Sequence, residues 1–410
     1  MTFNYKKFFI LLGFILIVLA LGYGIYYAFF RKPVPGPLVN VNEEYPGMLP
    51  NIGPYVNQPP YVEVNEGLPP VTEVPIKEEE PSEIAQGGLT EVKEVTAVRA
   101  EGAMAQADGT IAYYNRDESK FYRIGPDGEP MPLTDKLFHQ VSKVNWAPNA
   151  SRAVLEYPDG SKIMYDFDNE KQYTLPKQWE DFSFAPSSDE IVFKHLAQDK
   201  ENRWLAVAKA DGSGAEAIEP LGENGDKVQV TWSPTGQVVA TFWESMDAER
   251  QEIFLIGLHG ENFKSMITHG RGFESQWTPQ GDKLVYSVYN SEAGFRPTLW
   301  VADAQGDSIG MNRKYLGVDT WIDKCTIGRD NQTAYCAVPS YLPEGAGLYP
   351  DLANDIPDYF YKVNLKTGTK SLLAQPNGDY TAESVFLSPD EGYLYFTDIN
   401  TGALSKIRLK

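Results

Sequence analysis

The sequence predicts an all-β protein, a β-propeller of seven four-stranded blades with N-terminal strand closure, preceded by one transmembrane helix and a disordered linker. Three observations predict it. A turn motif recurs about every forty-five residues after residue 90, alternating apolar strands follow each copy, and no stretch there sustains helical periodicity over three turns.

Composition sets the limits. The chain has 410 residues, 42% apolar and 13% aromatic, with 36 basic against 56 acidic side chains and a formal net charge of -20. No basic run exceeds pairs such as Lys6-Lys7, so nucleic acid is excluded as a partner, because phosphate neutralisation needs clustered Lys and Arg.

Residues 1–7 read as a short tail. From Phe8 to Phe30 the chain carries no charge, and at about 1.5 Å per helical residue this stretch reaches roughly 34 Å, enough to cross the hydrocarbon core. It ends Tyr26-Tyr27-Ala28-Phe29-Phe30-Arg31 without a small-residue cleavage pattern, so residues 8–30 read as an uncleaved signal anchor. Lys6 and Lys7 nearly balance Arg31 and Lys32 across it. The amino terminus and the acidic segment beyond tip the expectation to a single-pass cell-membrane protein, N-terminus cytoplasmic and propeller extracytoplasmic. Residues 31–90 hold twelve prolines and the run Glu78-Glu79-Glu80. Missing N–H donors and like-charge repulsion make them an extended, disordered linker.

Residues 91–410 carry the repeat. Four copies are Trp146-Ala147-Pro148-Asn149-Ala150, Phe184-Ala185-Pro186-Ser187-Ser188, Trp232-Ser233-Pro234-Thr235-Gly236 and Trp277-Thr278-Pro279-Gln280-Gly281, and Leu387-Ser388-Pro389-Asp390 is a fifth. Two degenerate copies begin at Ala105 and Cys325, giving seven rows. Each turn precedes an alternating strand such as Lys283-Leu284-Val285-Tyr286-Ser287-Val288, and then further strands joined by Gly turns such as Asp211-Gly212-Ser213-Gly214. Four antiparallel strands per unit at this period are the sequence form of a propeller blade.

These residues resemble the TolB-type propeller repeat over essentially all of residues 91–410. The resemblance implies that each turn links the two inner strands of a blade, and that the molecule is an extracytoplasmic interaction module of the bacterial envelope. The chain departs from that family in keeping a helix and showing no sign of a separate N-terminal globular domain.

Catalytic signatures are scarce. The sequence has no G-x-S-x-G nucleophile elbow, and His139, His195, His259 and His269 are scattered without metal-ligand spacing. The acidic turn Asp166-Phe167-Asp168-Asn169-Glu170 lacks the twelve-residue calcium loop. No cofactor or metal is expected.

Loop lengths carry the site information. Connections from second to third strand are long at His195 to Arg203, Glu244 to Gln251, Tyr289 to Pro297 and above all Pro339 to Pro357, and in a propeller these emerge on one face. The longest mixes aromatics with carboxylates, so Tyr341, Tyr349, Asp351, Asp355, Asp358 and Tyr359 form the candidate binding face. The expected function is a membrane-anchored, non-enzymatic module binding an envelope protein or glycan, with the membrane engaged through the helix. The alternative is a propeller enzyme acting on polysaccharide, with loop carboxylates as acid and base.

Two details remain. Cys325 and Cys336 are expected to form a disulfide, facing each other directly if their hairpin centres on Asp330-Asn331, whereas a register like the sibling repeats leaves two buried thiols. After Leu387 the chain suffices for strands at Tyr393 to Thr397 and Leu404 to Leu409 but not for a fourth, so Glu91 to Ala97 is expected to supply it by pairing with Leu404 to Leu409.

Overall fold

The computed structural model describes Leu21 and residues 80–106, 109–125 and 129–410. The expected membrane span and residues 31–79 of the linker lie outside the described residues, Leu21 excepted, and among the described residues no helix is long and apolar enough to cross a membrane. The chain divides into two compact units, Met1–Pro75 and Ile76–Lys410, and the fold below is that of the second.

The second unit is built of strands. In chain order they are β1 (Leu89–Thr90), β2 (Val92–Ala105), β3 (Ile111–Asn115), β4 (Lys120–Ile124), β5 (Pro130–Pro132), β6 (Lys143–Trp146), β7 (Arg152–Glu156), β8 (Lys162–Asp166) and β9 (Lys171–Leu175). There follow β10 (Trp179–Phe184), β11 (Glu190–His195), β12 (Trp204–Lys209), β13 (Glu216–Pro220), β14 (Val228–Val230), β15 (Val238–Ser245), β16 (Gln251–Gly257) and β17 (Met266–Thr268). The last are β18 (Arg271–Trp277), β19 (Lys283–Tyr289), β20 (Pro297–Asp303), β21 (Lys314–Tyr315), β22 (Cys325–Ile327), β23 (Thr333–Pro339), β24 (Asp358–Asn364), β25 (Lys370–Pro376), β26 (Ala382–Leu387), β27 (Tyr393–Asp398) and β28 (Ala403–Arg408).

Sequence-adjacent strands pair antiparallel, giving four-stranded sheets β6–β9, β10–β13, β14–β17 and β18–β21. The sheet β22–β25 gains a fifth strand, β1, which lies parallel to β25, so the last residues before 91 lie along this sheet's outer edge. The expected closure strand is present: Val92 pairs with Ile407, Lys93 with Lys406 and Glu94 with Ser405. It changes the count of sheets. β2 is 14 residues long; its first part pairs with β28 and its second, from Ala100, with β3, so one continuous seven-stranded sheet runs β26-β27-β28-β2-β3-β4-β5. The described residues therefore form six hydrogen-bonded sheets where seven separate ones were expected.

Burial explains the strand compositions. Strands flanked on both sides can read as nearly continuous apolar sequence, as in β3, where every residue is buried, or β19. β16, between β15 and β17, alternates buried and half-buried residues instead. The core lies between successive sheets: Val154 and Met164 of one pack with Trp179, Phe184, Ile191 and Phe193 of the next, and Trp179 stacks on Phe193 at 3.7 Å between ring centres.

Some successive motif turns are hydrogen-bonded to each other. Gln280 N donates to Asn331 Oδ1 at 3.0 Å, and Arg329 N donates to Glu391 Oε1 at 2.7 Å, each joining one turn to the next. Gly328 N donates to Thr333 O as Thr278 N does to Lys283 O, so the sixth turn is Ile327-Gly328-Arg329-Asp330-Asn331, two residues later than the row beginning at Cys325. Asn331 takes the left-handed position (φ 60°) that Gly281 takes (φ 68°). That shift centres the hairpin on Asp330-Asn331 and sets Cys325 directly opposite Cys336, and a disulfide joins them.

Candidate functional site

The inner strands enter from one face of the ring, and several carry a β-bulge at that end. The register shifts between Glu180 and Ser183 in β10, between Arg271 and Glu274 in β18, and between Ala382 and Ser384 in β26. A bulge re-aims side chains; Asp181 and Glu383 lie within two of these irregularities, Glu274 is the first residue paired again after the third, and all three line cavities. Gly272 makes the β18 bulge at φ 65°, and a Cβ there would run into the Tyr289 ring. Asp323 arrives differently. It is the middle residue of a 3₁₀ turn, Ile322–Lys324, whose other two residues are buried, which leaves its own side chain facing the cavity.

Two cavities share this wall. An open one of about 970 Å³ is lined by Asp181, Asp226, Gln229, Glu274 and Asp323. A smaller one of about 250 Å³ is lined by Glu274, Asp323, Lys324 and Glu383, with Gly347, Pro350 and Asn354 over them. The long loop between β23 and β24 is thus a roof. Gly345 N donates to Gly294 O at 2.9 Å and Gly347 N to Phe295 O at 2.7 Å on one side, while Asn400 Nδ2 donates to Asn354 O at 3.2 Å on the other. Gly347 has to be glycine: a Cβ would lie 2.6 Å from Tyr289 Cβ and 2.7 Å from Phe295 O.

Electrostatics single out two groups. Glu274 and Asp323 are open to water in the cavity yet recessed among protein atoms, and this desolvation raises both carboxyls above the ordinary carboxylate range. The charge of Asp323 pushes Glu274 further up, whereas backbone N–H groups and the Lys324 ammonium act on Asp323 in the opposite sense. The two carboxyls therefore sit in unlike surroundings, Glu274 beside a like charge and Asp323 beside groups that oppose the effect of burial. The lysines nearby are already engaged: Lys143 lies 3.8 Å from both Glu156 and Asp181, and Lys324 lies on Asp358. Among the described residues no ion pair includes Asp226, Glu274, Asp323 or Glu383.

The residues expected from sequence separate into two groups. Tyr341 and Tyr349, 66% and 68% exposed, stand on the roof with exposed Asp351 and Asp355. Tyr359 is half-buried in β24. Asp358 is not a surface residue: it is 1% exposed, pairs with Lys324 Nζ at 2.9 and 3.1 Å, and accepts a hydrogen bond from Ala382 N at 2.7 Å. It opens β24, where burial between sheets claims the side chain. The sequence reading missed Glu274, Asp323 and Glu383, although a signal was available. The residue three places before each motif aromatic is Lys143, Asp181, Gln229 or Glu274, and all four line the larger cavity.

No protein-family model matches the chain, and no curated protein matches it. Solved structures do. An oligogalacturonate lyase in complex with manganese is similar at a TM-score of 0.51 and 13% identity, over 78% of this chain and 93% of that one. A second oligogalacturonate lyase, from Vibrio parahaemolyticus, has a TM-score of 0.51 at 10% identity over the same shares. The β-propeller domain of Myceliophteria thermophila Cps50 (Swd1) has a TM-score of 0.50 at 8% identity, over 78% of this chain and all of that one. The protein has a β-propeller fold. Identities this low show the fold alone, and the TolB-type resemblance is not what these likenesses establish. They do correct one expectation. Two of the similar propellers are enzymes, so the missing nucleophile elbow and His cluster gave no ground for excluding catalysis on this scaffold. Among the described residues no group of three or more His, Cys, Asp or Glu side chains is placed to hold a metal ion.

Proposed function

We propose that this propeller cleaves a glycosidic bond in a neutral or cationic glycan, with Glu274 as general acid and Asp323 as general base. The observation that carries the reading is the pair of carboxyls on one wall of a roofed cavity, both raised by desolvation. A proton held by Glu274 passes to the glycosidic oxygen as the bond to the anomeric carbon breaks. Water adds to that carbon and gives its proton to Asp323, so each fragment gains a hydroxyl. Carboxylates left without cationic partners repel a polyanion, which argues against polyuronates. Exposed Tyr341 and Tyr349 on the roof offer faces on which sugar rings stack.

The setting belongs to the same proposal. The uncharged stretch Phe8 to Phe30 supports a membrane anchor, and the disulfide supports an extracytoplasmic propeller, since such bonds persist in oxidising compartments. Splitting β2 between its two partners gives seven radial units, one for each motif row.

The test is release of reducing ends from neutral, amino-sugar and uronate polysaccharides. Turnover of a neutral or amino-sugar polymer that falls at least a hundredfold in both Glu274→Gln and Asp323→Asn is expected. Turnover that survives both substitutions, or that is confined to uronates, rejects the assignment.

A further inference from the structure

Lys324 on the smaller cavity's wall belongs to a buried ion pair that the proposed chemistry does not use. Lys324 and Asp358 are 7% and 1% exposed, and Nζ lies 3.1 and 2.9 Å from the two carboxylate oxygens. Burying two charges is costly, and the mutual attraction seldom returns more than the desolvation removes, so such a pair is better read as fixing geometry than as adding stability.

What it fixes is visible in its neighbours. Lys324 ends the 3₁₀ turn that carries Asp323. Asp358 is the first residue after the roof loop, and its Oδ2 also accepts from Ala382 N, immediately before Glu383. Thr381 Oγ1 donates to Ile356 O at 3.1 Å and Asp358 N donates to Tyr380 O at 2.8 Å, binding the same junction to the last sheet. One carboxylate thus joins the roof's end, the turn holding Asp323 and the strand holding Glu383.

We propose that Lys324 and Asp358 are a positioning pair that couples the seating of the roof loop to the placement of Asp323. Neither is a catalytic residue. The coupling deepens the carboxyl-pair reading and rests on it for its effect on turnover, but its structural half stands independently. The charged groups around the pair are Glu274 from β18, Asp323 beside Lys324, Glu383 from β26 and Asp398 from β27, the last acting on Asp358.

Removing one partner strands a buried charge and can unfold the chain, so the decisive variant is Lys324→Met with Asp358→Asn, which removes both charges and keeps an acceptor for Ala382 N. Hydrogen exchange of the full chain reads the coupling directly. Amides of residues 320–325 and 340–357 are expected to exchange about tenfold faster or more, while β7, β11 and β15 stay within about twofold of wild type. Lys324→Arg, which keeps the charge, should preserve the wild-type pattern. Unchanged exchange, or acceleration spread evenly over all sheets, overturns the proposal. Where a glycan is turned over, the double variant should lower kcat about tenfold or more with KM within about threefold, and Lys324→Arg should retain most of the rate. Equal loss in the arginine variant, or loss in KM alone, also overturns it. If no glycan is cleaved, the carboxyl-pair reading fails, and the exchange pattern still decides whether the pair couples roof and turn.

Discussion

Reduction of the Cys325–Cys336 disulfide is a clean perturbation of the site's foundation, because it leaves every side-chain atom except two hydrogens as before. The bond closes a loop of 11 residues between directly opposed partners on β22 and β23. In the chain-entropy model a loop of that length is worth about 3 kcal/mol. Unfolding entropy of about 2.1 cal/mol/K per residue, over the roughly 330 residues of the second unit, comes to about 0.7 kcal/mol/K. Reduction should therefore lower Tm by about 4 °C. The assay is a thermal melt followed by circular dichroism with and without a phosphine reductant, with thiol titration in denaturant confirming that two thiols have appeared. The double variant Cys325→Ala with Cys336→Ala should fall further, since both sulfurs are buried, at 3% and 0% exposure. A shift below about 1 °C on complete reduction would mean that the hairpin holds its register without the bond, and that the denatured chain was not restrained by it.

Two further outcomes follow from the site and the ring. Glu274 has a folded-state pKa raised above its unfolded value, so the folded state binds the extra proton; stability is lost as pH rises through that interval, and the penalty is complete above the folded pKa. Glu274→Gln should accordingly raise Tm at pH 7 and give no gain below about pH 4, and a gain of the same size at both pH values would contradict the burial argument. Removing the strand that closes the ring should show as well. A chain beginning at Val98 should melt about 5 °C or more below one beginning at Glu80, whereas equal melting would mean that the pairing of Val92 to Glu94 with β28 contributes nothing.

The fold was legible because its determinants are local and repeated. An aromatic, a small residue, proline and a turn recur with the strands they connect, and each copy supports the others, so even the composite closure by Glu91 to Ala97 could be deduced from the shortage of chain after Leu387. The sheet count failed for a physical reason: hydrogen bonding need not stop where a motif unit stops, and β2 carries it from one unit into the next. The linker boundary at residue 90 overlooked Leu89 and Thr90, which pair with β25 although no alternation announces a two-residue strand. Candidate residues were drawn from the longest loop because long loops often bind. That loop is a roof, and its most acidic-looking end, Asp358, is drawn inside by a lysine from 34 positions earlier in the chain.

The proposed chemistry sits instead where the repeat is broken. A bulge costs ladder hydrogen bonds and leaves a residue unpaired, and in β18 it also requires a glycine at positive φ beside Tyr289. Such an irregularity adds nothing to sheet stability, yet it ends where Glu274 rejoins the ladder opposite Ser287, on the wall it shares with Asp323, which arrives from a 3₁₀ turn rather than a strand. Two carboxyls brought together by two different backbone devices, in a place that makes both harder to ionise, are an expense that folding alone does not explain. The ring supplies rigidity for that expense: the sheets on either side of Asp323 are tied to each other through the motif turns Gln280 to Asn331 and Arg329 to Glu391, at the ends of strands whose opposite ends carry the carboxyls.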